Sequence, residues 1–246
     1  MRLPRVEPLA KRDLQRPGND AKRSPVGSLG RLGLPLGLQP MEARLVDELP
    51  HGAGWQFEPK WDGFRCLAFR SGREVEIKAK SGKSLSRFFP EVIGNLRALR
   101  QDTFVLDGEL VISTGGELAF DALQMRLHPA ASRIERLARE TPAEMVVFDC
   151  LLTKPGRPLL QEPFSARREA LEAFFARVGG DGLGLRLTPF TRNRRNARSW
   201  LSGRQAALDG VVAKRLDLPY RPGERAMLKI KRVRTADCVV GGFRYA

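Results

Sequence analysis

The sequence predicts an α+β fold with antiparallel sheets, and three patterns lead to this prediction. Several segments alternate apolar and polar residues with a period of two and are separated by Gly-containing turns, which is typical of antiparallel hairpins. Other segments repeat their apolar residues with the period of an amphipathic helix. Strands and helices do not follow one another in the regular order of βαβ units, so a parallel α/β sheet is not expected.

The first half of the chain supplies most of the predicted hairpins. Its predicted strands are W-Q-F-E-P-K (55–60), F-R-C-L-A-F-R (64–70), E-V-E-I-K-A-K (74–80) and F-V-L-D-G-E-L-V-I (104–112). An Asp-Gly pair follows the first strand and Ser-Gly-Arg follows the second, and both are expected to be turns. Helices are expected near Pro90–Arg100 and Phe120–Leu127.

The second half mixes helices with buried strands. Its predicted strands are M-V-V-F-D-C-L-L (145–152), G-V-V-A-K-R (210–215), M-L-K-I-K-R (227–232) and C-V-V-G-G-F-R-Y (238–245). Residues 165–178 form the clearest amphipathic helix, with Ser165 as its N-cap. A further helix is expected near Asn196–Leu208, with arginines on one side.

Composition favours a polyanionic partner. The 246 residues include 43 Lys and Arg against 28 Asp and Glu, a net charge of +15. Coulomb attraction and counterion release then favour nucleic acid first and an anionic membrane surface second, although Arg-rich codon usage is a simpler explanation. No apolar run is long enough to span a bilayer, so no membrane-spanning segment is expected, and nucleic acid rather than a membrane is the predicted partner. The three widely spaced cysteines suggest neither disulfides nor zinc, and they suit a reducing cytosol.

The chain divides into an N-terminal arm and one compact domain. Residues 1–30 are basic and polar and have no amphipathic period, so they are expected to form a disordered arm. Residues 31–40 alternate leucine with Gly or Pro, which predicts an extended segment packed on the domain. The domain itself is placed at residues 31–235.

Five short clusters combine charged residues with strand ends or turns. They are K-W-D-G-F-R (Lys60–Arg65), L-D-G-E-L (Leu106–Leu110), V-V-F-D (Val146–Asp149), D-G-V-V-A-K (Asp209–Lys214) and L-K-I-K (Leu228–Lys231). Each has a simpler explanation when it is taken alone. An Asp-Gly pair is usually a turn, a lysine pair two residues apart is usually an exposed strand face, and Phe148 could be a core aromatic.

Taken in this order, the clusters resemble the nucleotidyltransferase motifs of the covalent ligase and capping-enzyme superfamily. The chain is most similar to bacterial ATP-dependent DNA ligases of the end-joining kind, in their adenylation domain. Further stretches that carry the resemblance are S-G-K-S-L-S-R-F-F-P-E, F-D-A-L-Q-M-R-L-H-P-A and P-Y-R-P-G-E-R. It implies an α+β, ATP-grasp-like nucleotidyltransferase domain with two antiparallel sheets flanked by helices. Residues 236–246 would then begin an OB-fold domain that is otherwise absent.

The resemblance implies roles for individual residues. Lys60 is the nucleophile that takes AMP from ATP, Asp62 orients its amine, and Lys229 and Lys231 bind the α-phosphate. A lysine attacks only as the neutral amine, which neighbouring cations and partial burial favour. The other implied nucleotide contacts are Glu58 at the adenine edge, Phe148 stacked on adenine, Arg65 and Glu109 at the ribose, and Lys80.

Three positions depart from the family pattern. Asp209, which with Glu109 is an implied ligand of Mg²⁺ (or Mn²⁺), stands where the family usually has glutamate. Its shorter reach makes direct coordination less certain and favours a bridging water. Lys80 stands where an arginine is common, which replaces a bidentate guanidinium with a point charge. Met227 stands where many members have tryptophan.

The expected reaction has three steps. Lys60 is adenylylated by ATP, AMP passes to a 5′-phosphate on nicked double-stranded DNA, and a 3′-hydroxyl displaces AMP. We expect slow or absent self-adenylylation from ATP and little sealing without the missing domain. We also expect a monomer and a nucleoid-associated location in the bacterial cytoplasm. The alternatives are an RNA ligase, a GTP-using capping enzyme, or a noncatalytic nucleic-acid-binding fragment. Candidate DNA contacts are Arg192, Arg194, Arg195 and Arg198, which could equally be a solvated basic face.

Overall fold

A computed structural model describes residues 28–179, 183–202 and 208–232. Within these ranges the α-helices are α1 Pro90–Ala98, α2 Phe120–Arg126, α3 Ala131–Glu140, α4 Phe164–Val178 and α5 Arg194–Ser202. The strands are β1 Ala43–Leu45, β2 Trp55–Trp61, β3 Phe64–Ser71, β4 Glu74–Ala79, β5 Thr103–Val111, β6 Ser113–Thr114, β7 Glu117–Leu118, β8 Glu144–Leu152, β9 Leu185–Leu187, β10 Leu208–Arg215 and β11 Met227–Lys231. No helix in these ranges is long and apolar enough to cross a bilayer.

The structure describes only part of the predicted chain organisation. The N-terminal arm predicted at residues 1–30 lies outside the described residues except for its last three, which belong to a 3-10 helix at Ser28–Arg31. The predicted OB-fold start at 236–246 also lies outside them. The segment at 31–40 buries Leu32 and Leu34 on the domain as predicted. It is not extended throughout, because Arg31 ends the 3-10 helix and the Leu38 N–H donates to the Pro35 carbonyl in a turn.

Two sheets form the body of the domain. A five-stranded sheet has the order β4-β3-β5-β8-β9, and a four-stranded sheet has the order β1-β11-β10-β2. The prediction of α+β architecture with two sheets is confirmed, but the sheets are mixed rather than wholly antiparallel. The edge pairs β8–β9 and β1–β11 are parallel, because long connections, one of them containing α4, return each second strand in the same direction.

Three apolar clusters order these elements into layers. The first joins α1 and α4 to one face of the five-stranded sheet, through residues such as Leu96, Phe104 and Phe174. The second lies between the two sheets and includes Leu67 and Met227. The third cluster packs α5 on the outer face of the four-stranded sheet and consists of Leu49, Phe57, Ala197, Val211, Ala213, Leu228 and Ile230. Side chains on the facing sides of both sheets therefore point toward one another.

Several local predictions need correction. Ser165 is not the N-cap of α4, because the helix begins at Phe164 after Pro163, and no side-chain cap is present. The backbone N–H groups of Phe164 and Ser165 instead donate to the carbonyls of Leu218 and Leu216, both at 2.9 Å. The helix predicted at Asn196–Leu208 is observed as α5 at Arg194–Ser202, and Leu208 begins a strand.

Candidate active site

The register of the four-stranded sheet brings the predicted lysines together. Lys60 on β2 is opposite Gly210 on β10, and Gly210 is in turn opposite Lys231 on β11. One step along, Glu58 is opposite Val212, which is opposite Lys229. Because residues two apart on a strand point to the same face, both rows present their side chains on the inner face of the sheet.

The glycines of the Asp-Gly pairs allow neighbouring strands to approach closely. Asp62-Gly63 connects β2 to β3 at the predicted turn. Asp107-Gly108 lies in the middle of β5, and Gly210 lies in β10 at a register shift. A Cβ on Gly63 would collide with the Leu110 carbonyl oxygen, and one on Gly210 would collide with the Ile230 carbonyl oxygen. Gly210 also has φ of 150°, which L residues rarely adopt. These glycines therefore fix the register on which the site depends.

Lys60, Asp209 and Lys231 form an ionic cluster at one end of the first row. Asp209 Oδ2 lies 2.6 Å from Lys60 Nζ and 3.5 Å from Lys231 Nζ. Partial burial opposes ionisation of Asp209, but the hydrogen bond and charge of Lys60, with the charge of Lys231, outweigh it and lower the carboxyl pKa. The carboxylate is thus ionised at neutral pH and holds the Nζ of Lys60 in place.

Lys229 occupies the second row, where positive charges accumulate. Burial and the charges of Lys60, Lys231, Lys80 and Arg225 all lower the pKa of Lys229. Such an arrangement is costly without an anion, so this wall of the site is suited to bind one.

These side chains line a cavity of about 240 Å³ between the two sheets. All of the predicted nucleotide contacts except Lys231 are on its wall: Glu58, Lys60, Arg65, Lys80, Glu109, Phe148 and Lys229. Lys231 and Asp209 lie next to it through their contacts with Lys60. Asp62 is exposed and is not on this wall among the described residues, so the structure does not place it against the Lys60 amine.

The opposite wall carries a buried network centred on Asp107, which the sequence interpretation left without a role. Arg65 donates two hydrogen bonds to the Asp107 carboxylate, from Nε and Nη2, both at 2.6 Å. The Tyr220 hydroxyl donates a third, also at 2.6 Å, and accepts one from the Met41 backbone N–H. The Arg65 guanidinium lies 4.4 Å from the centre of the Phe148 ring. Arg65 is thus fixed at the cavity wall.

Phe148 reaches the cavity because β8 bulges there. The register passes from Asp107↔Asp149 to Gly108↔Val147 and leaves Phe148 as the extra residue. Phe148 is buried, with 8% exposure, and it borders the cavity. Its position on the cavity wall therefore distinguishes it from an ordinary core aromatic, which was the simpler explanation.

Lys214 is a site residue to which the sequence interpretation assigned no role. Its buried Nζ lies 2.7 Å from Glu58 Oε2 and donates to the Phe148 carbonyl at 3.0 Å. Gln56 Nε2 donates to the other Glu58 oxygen at 2.9 Å. Lys214 ends the D-G-V-V-A-K cluster in the same alternation as Val212, and this spacing was the available signal. The network holds Glu58 as a fixed hydrogen-bond acceptor.

Glu109 lies on the cavity wall, and its carboxyl group has a raised pKa. Removal from water raises the pKa of Glu109 to about 7; the charges of Arg65 and Lys60 oppose this shift, and those of Asp107 and Asp62 add to it. Near neutral pH the group is therefore partly protonated and can both donate and accept hydrogen bonds.

The four candidate arginines lie away from the cavity. Arg194 belongs to α5, and its Nε donates to the Leu49 carbonyl at 3.0 Å. Arg192, Arg195 and Arg198 are exposed. Because α5 packs on the outer face of the four-stranded sheet, these arginines are not brought to the face that carries Lys60.

Comparisons with known proteins agree with this geometry. Residues 40–231 match the family described as "ATP dependent DNA ligase domain". The chain belongs to this family. The match covers the whole candidate cavity, and it confirms the family and the nucleotidyltransferase fold that the five clusters predicted.

Relatives of this ligase domain occur in mycobacteria. The chain is 44% identical to DNA ligase C2 of Mycolicibacterium smegmatis over 208 residues, covering 84% of this chain and 57% of that protein. It is 43% identical to DNA ligase C of Mycobacterium tuberculosis over 209 residues, covering 84% of this chain and 58% of that protein.

Two solved ligase structures share the fold. The ligase domain of M. tuberculosis LigD has a TM-score of 0.62 at 27% identity, covering 80% of this chain and 61% of that one. A mycobacterial DNA ligase D complexed with ATP and MES has a TM-score of 0.60 at 26% identity, covering 80% and 60%. This chain therefore spans less than two thirds of each of these relatives.

Proposed function

We propose that this domain transfers AMP from ATP to Lys60 and then to the 5′-phosphate of nicked double-stranded DNA, so that a 3′-hydroxyl can seal the strand. The observation that carries the proposal is the ionic cluster of Lys60, Asp209 and Lys231. It lies beside a cavity whose other wall holds Arg65 and Phe148. The mycobacterial relatives are DNA ligases, which favours this reaction over RNA ligation or GTP-dependent capping.

The first covalent step uses the amine of Lys60. Its neutral Nζ forms a bond to the α-phosphorus, and the bond from that phosphorus to the pyrophosphate oxygen breaks, so pyrophosphate leaves with the electron pair. Asp209, 2.6 Å away, orients Nζ and is an adjacent acceptor for its proton. Lys229 and Lys231 stabilise the charge that develops on the phosphate oxygens.

The base end of the cavity suits adenine. Adenine presents an exocyclic amine, which is a donor, and the Glu58 carboxylate held by Lys214 is a fixed acceptor. Guanine presents a carbonyl oxygen at the equivalent position. This oxygen is an acceptor and would face the Glu58 carboxylate, which is also an acceptor. The Phe148 ring offers an aromatic surface for the base, while Glu109 and Arg65 are assigned to the ribose.

The donor set fits Mg²⁺ or Mn²⁺ only in combination with the nucleotide. Among the described residues no group of three or more His, Cys, Asp or Glu side chains could hold a metal ion. Mg²⁺ commonly uses one or two carboxylates together with substrate phosphates, and Asp209 supplies one such carboxylate. Bound there, the ion would neutralise charge on the phosphates. The partly protonated Glu109 suits a ribose hydroxyl better than a metal.

DNA is the proposed acceptor of AMP for two reasons, which are the polyanionic charge of DNA and the membership of this chain in the DNA ligase family. A net charge of +15 favours association with a polyanion. As phosphate contacts, Arg192, Arg195 and Arg198 would reach DNA on the side of the four-stranded sheet opposite Lys60. A monomeric state and a nucleoid-associated, cytoplasmic location remain part of the proposal.

Labelling with radioactive ATP tests the proposal. The chain is incubated with α-³²P-ATP and Mg²⁺ and run on a denaturing gel, where even a slow reaction leaves a countable covalent label. We expect label on the wild type, none on Lys60→Ala, and no competition by excess GTP. Persistent label on Lys60→Ala would show that another residue is the nucleophile, and a wild type without label would contradict the proposed reaction.

A further inference from the structure

Glu42 lies at the cavity wall among positive side chains from three separate parts of the fold. Its Oε2 is 3.0 Å from Lys80 Nζ, beyond the end of β4, and 4.0 Å from Arg225 Nε, in the loop before β11. The hydrogen bond from Lys80 and the charges of Lys80, Arg225 and Lys229 lower the pKa of the Glu42 carboxyl, although burial opposes them. Glu42 is thus ionised at neutral pH.

The backbone of Glu42 is fixed, whereas its side chain and those of its partners reach solvent. The Glu42 N–H donates to the Glu224 carbonyl at 2.8 Å, and its carbonyl accepts from the Met227 N–H at 3.0 Å. The Glu42 side chain is 28% exposed and that of Lys80 is 57% exposed. The ion pair can therefore open by side-chain rotation alone, without disturbing β1 or β11.

The partners of Glu42 are the groups that a phosphate entering the cavity would meet. Glu42, Lys80 and Lys229 all line the cavity, with Lys80 from one sheet and Lys229 from the other. A carboxylate and a phosphate are both oxyanions and bind the same ammonium and guanidinium donors. Only one of them can occupy the position between these cations.

We propose that Glu42 occupies a phosphate subsite between Lys80, Arg225 and Lys229 in the ligand-free chain and is displaced when a phosphate group enters. This inference rests on the proposed function, which assigns a phosphate ligand to the cavity. The phosphate comes either from the triphosphate of ATP or from the 5′ end of DNA. Glu42 then lowers the affinity for phosphate and limits binding of weakly charged anions.

Isothermal titration of Glu42→Gln with inorganic tripolyphosphate tests this inference. Glutamine keeps the size of the side chain but removes the competing charge. We expect Kd to fall about threefold at low salt, the size typical of a partly exposed ion pair, and the gain to shrink as salt screens it. Titration with a nicked duplex bearing a 5′-phosphate or a 5′-hydroxyl distinguishes the two sources, since a gain confined to the phosphorylated duplex assigns the subsite to DNA.

Two further variants make the test specific. In a Lys80→Met background the Glu42→Gln effect should largely disappear, because the released cation is gone. Glu140→Gln removes the same charge from an exposed pair on α3 and should leave Kd unchanged. Unchanged or weaker tripolyphosphate binding by a folded Glu42→Gln protein would overturn the inference, as would an equal gain with Glu140→Gln. Labelling of Lys60 with radioactive ATP tests the proposed function separately from this inference.

Discussion

The two walls of the cavity hold their charged groups in different ways. On the four-stranded sheet, strand register aligns Lys60, Lys229 and Lys231 on one face, and Lys231 remains 51% exposed. On the five-stranded sheet, Asp107 is fully buried and is held by Arg65 and Tyr220. The reactive groups are thus placed by the backbone and stay accessible, whereas the groups that shape the base and ribose end are fixed by a buried network. Substitutions on the second wall should cost stability, and those on the first should cost activity.

The largest loss of stability is expected for Asp107→Ala. It leaves the Arg65 guanidinium without its carboxylate and the Tyr220 hydroxyl without its acceptor. Breaking a buried pair costs about 3–5 kcal/mol, and we expect the lower end because Arg65 keeps 22% exposure. Urea unfolding measures this loss in the free energy of unfolding. The control is Lys231→Ala, which we expect to change stability by less than about 1 kcal/mol. Equal losses for the two variants would remove the contrast between the walls.

Gly210→Ala should cause an intermediate loss of stability and a large loss of labelling. Alanine is strained at the positive φ of this position, and its Cβ meets the Ile230 carbonyl, so the β10–β11 register must shift. Such backbone strain costs about 1–3 kcal/mol. Gly94→Ala in α1, where a Cβ meets nothing within 4 Å, should stabilise by about 0.5–1 kcal/mol. A Gly210→Ala protein that labels at the wild-type rate would show that register does not place Lys60.

Glu109→Gln should change the pH dependence of stability. In the unfolded chain this carboxyl ionises near its ordinary pKa of 4.5, whereas in the folded chain its pKa is about 7. As the pH rises from 4.5 to 7, the unfolded state loses the proton first, so the wild type loses stability. Glutamine removes this loss. Urea unfolding measures the free energy of unfolding of both proteins. The difference between them should be constant below pH 4 and should then change by about 1–3 kcal/mol in favour of Glu109→Gln up to pH 8. A pH-independent difference would contradict the assignment.

The sequence was sufficient to predict the fold class and most of the charged residues that line the cavity. Strand β4 alternates polar and apolar residues, and β8 is a largely apolar run. The five clusters fall on β2, β3, β5, β8, β10 and β11. The position of Lys229 and Lys231 on one face of β11 was predicted correctly, because two residues on one strand face need no knowledge of tertiary contacts. The helices near Pro90 and Phe120 were also placed correctly, within one or two residues at their ends.

The missed features depend on contacts between distant parts of the chain. Tyr220 and Asp107 are separated by 113 residues, and no local pattern indicates that they meet. Glu42 precedes a three-residue edge strand, β1, whose pairing is decided by β11. The close strand approach at the glycines of the Asp-Gly pairs was also missed, because it depends on carbonyl groups of neighbouring strands that leave no room for a Cβ.

Mapping the AMP attachment site tests the central claim most directly. The labelled chain is digested, and the adducted peptide is sequenced by mass spectrometry. We predict a single AMP joined through an acid-labile phosphorus–nitrogen bond to Lys60, whose Nζ is held by Asp209 at the cavity wall. AMP on Lys80, Lys229 or Lys231 instead would contradict the account.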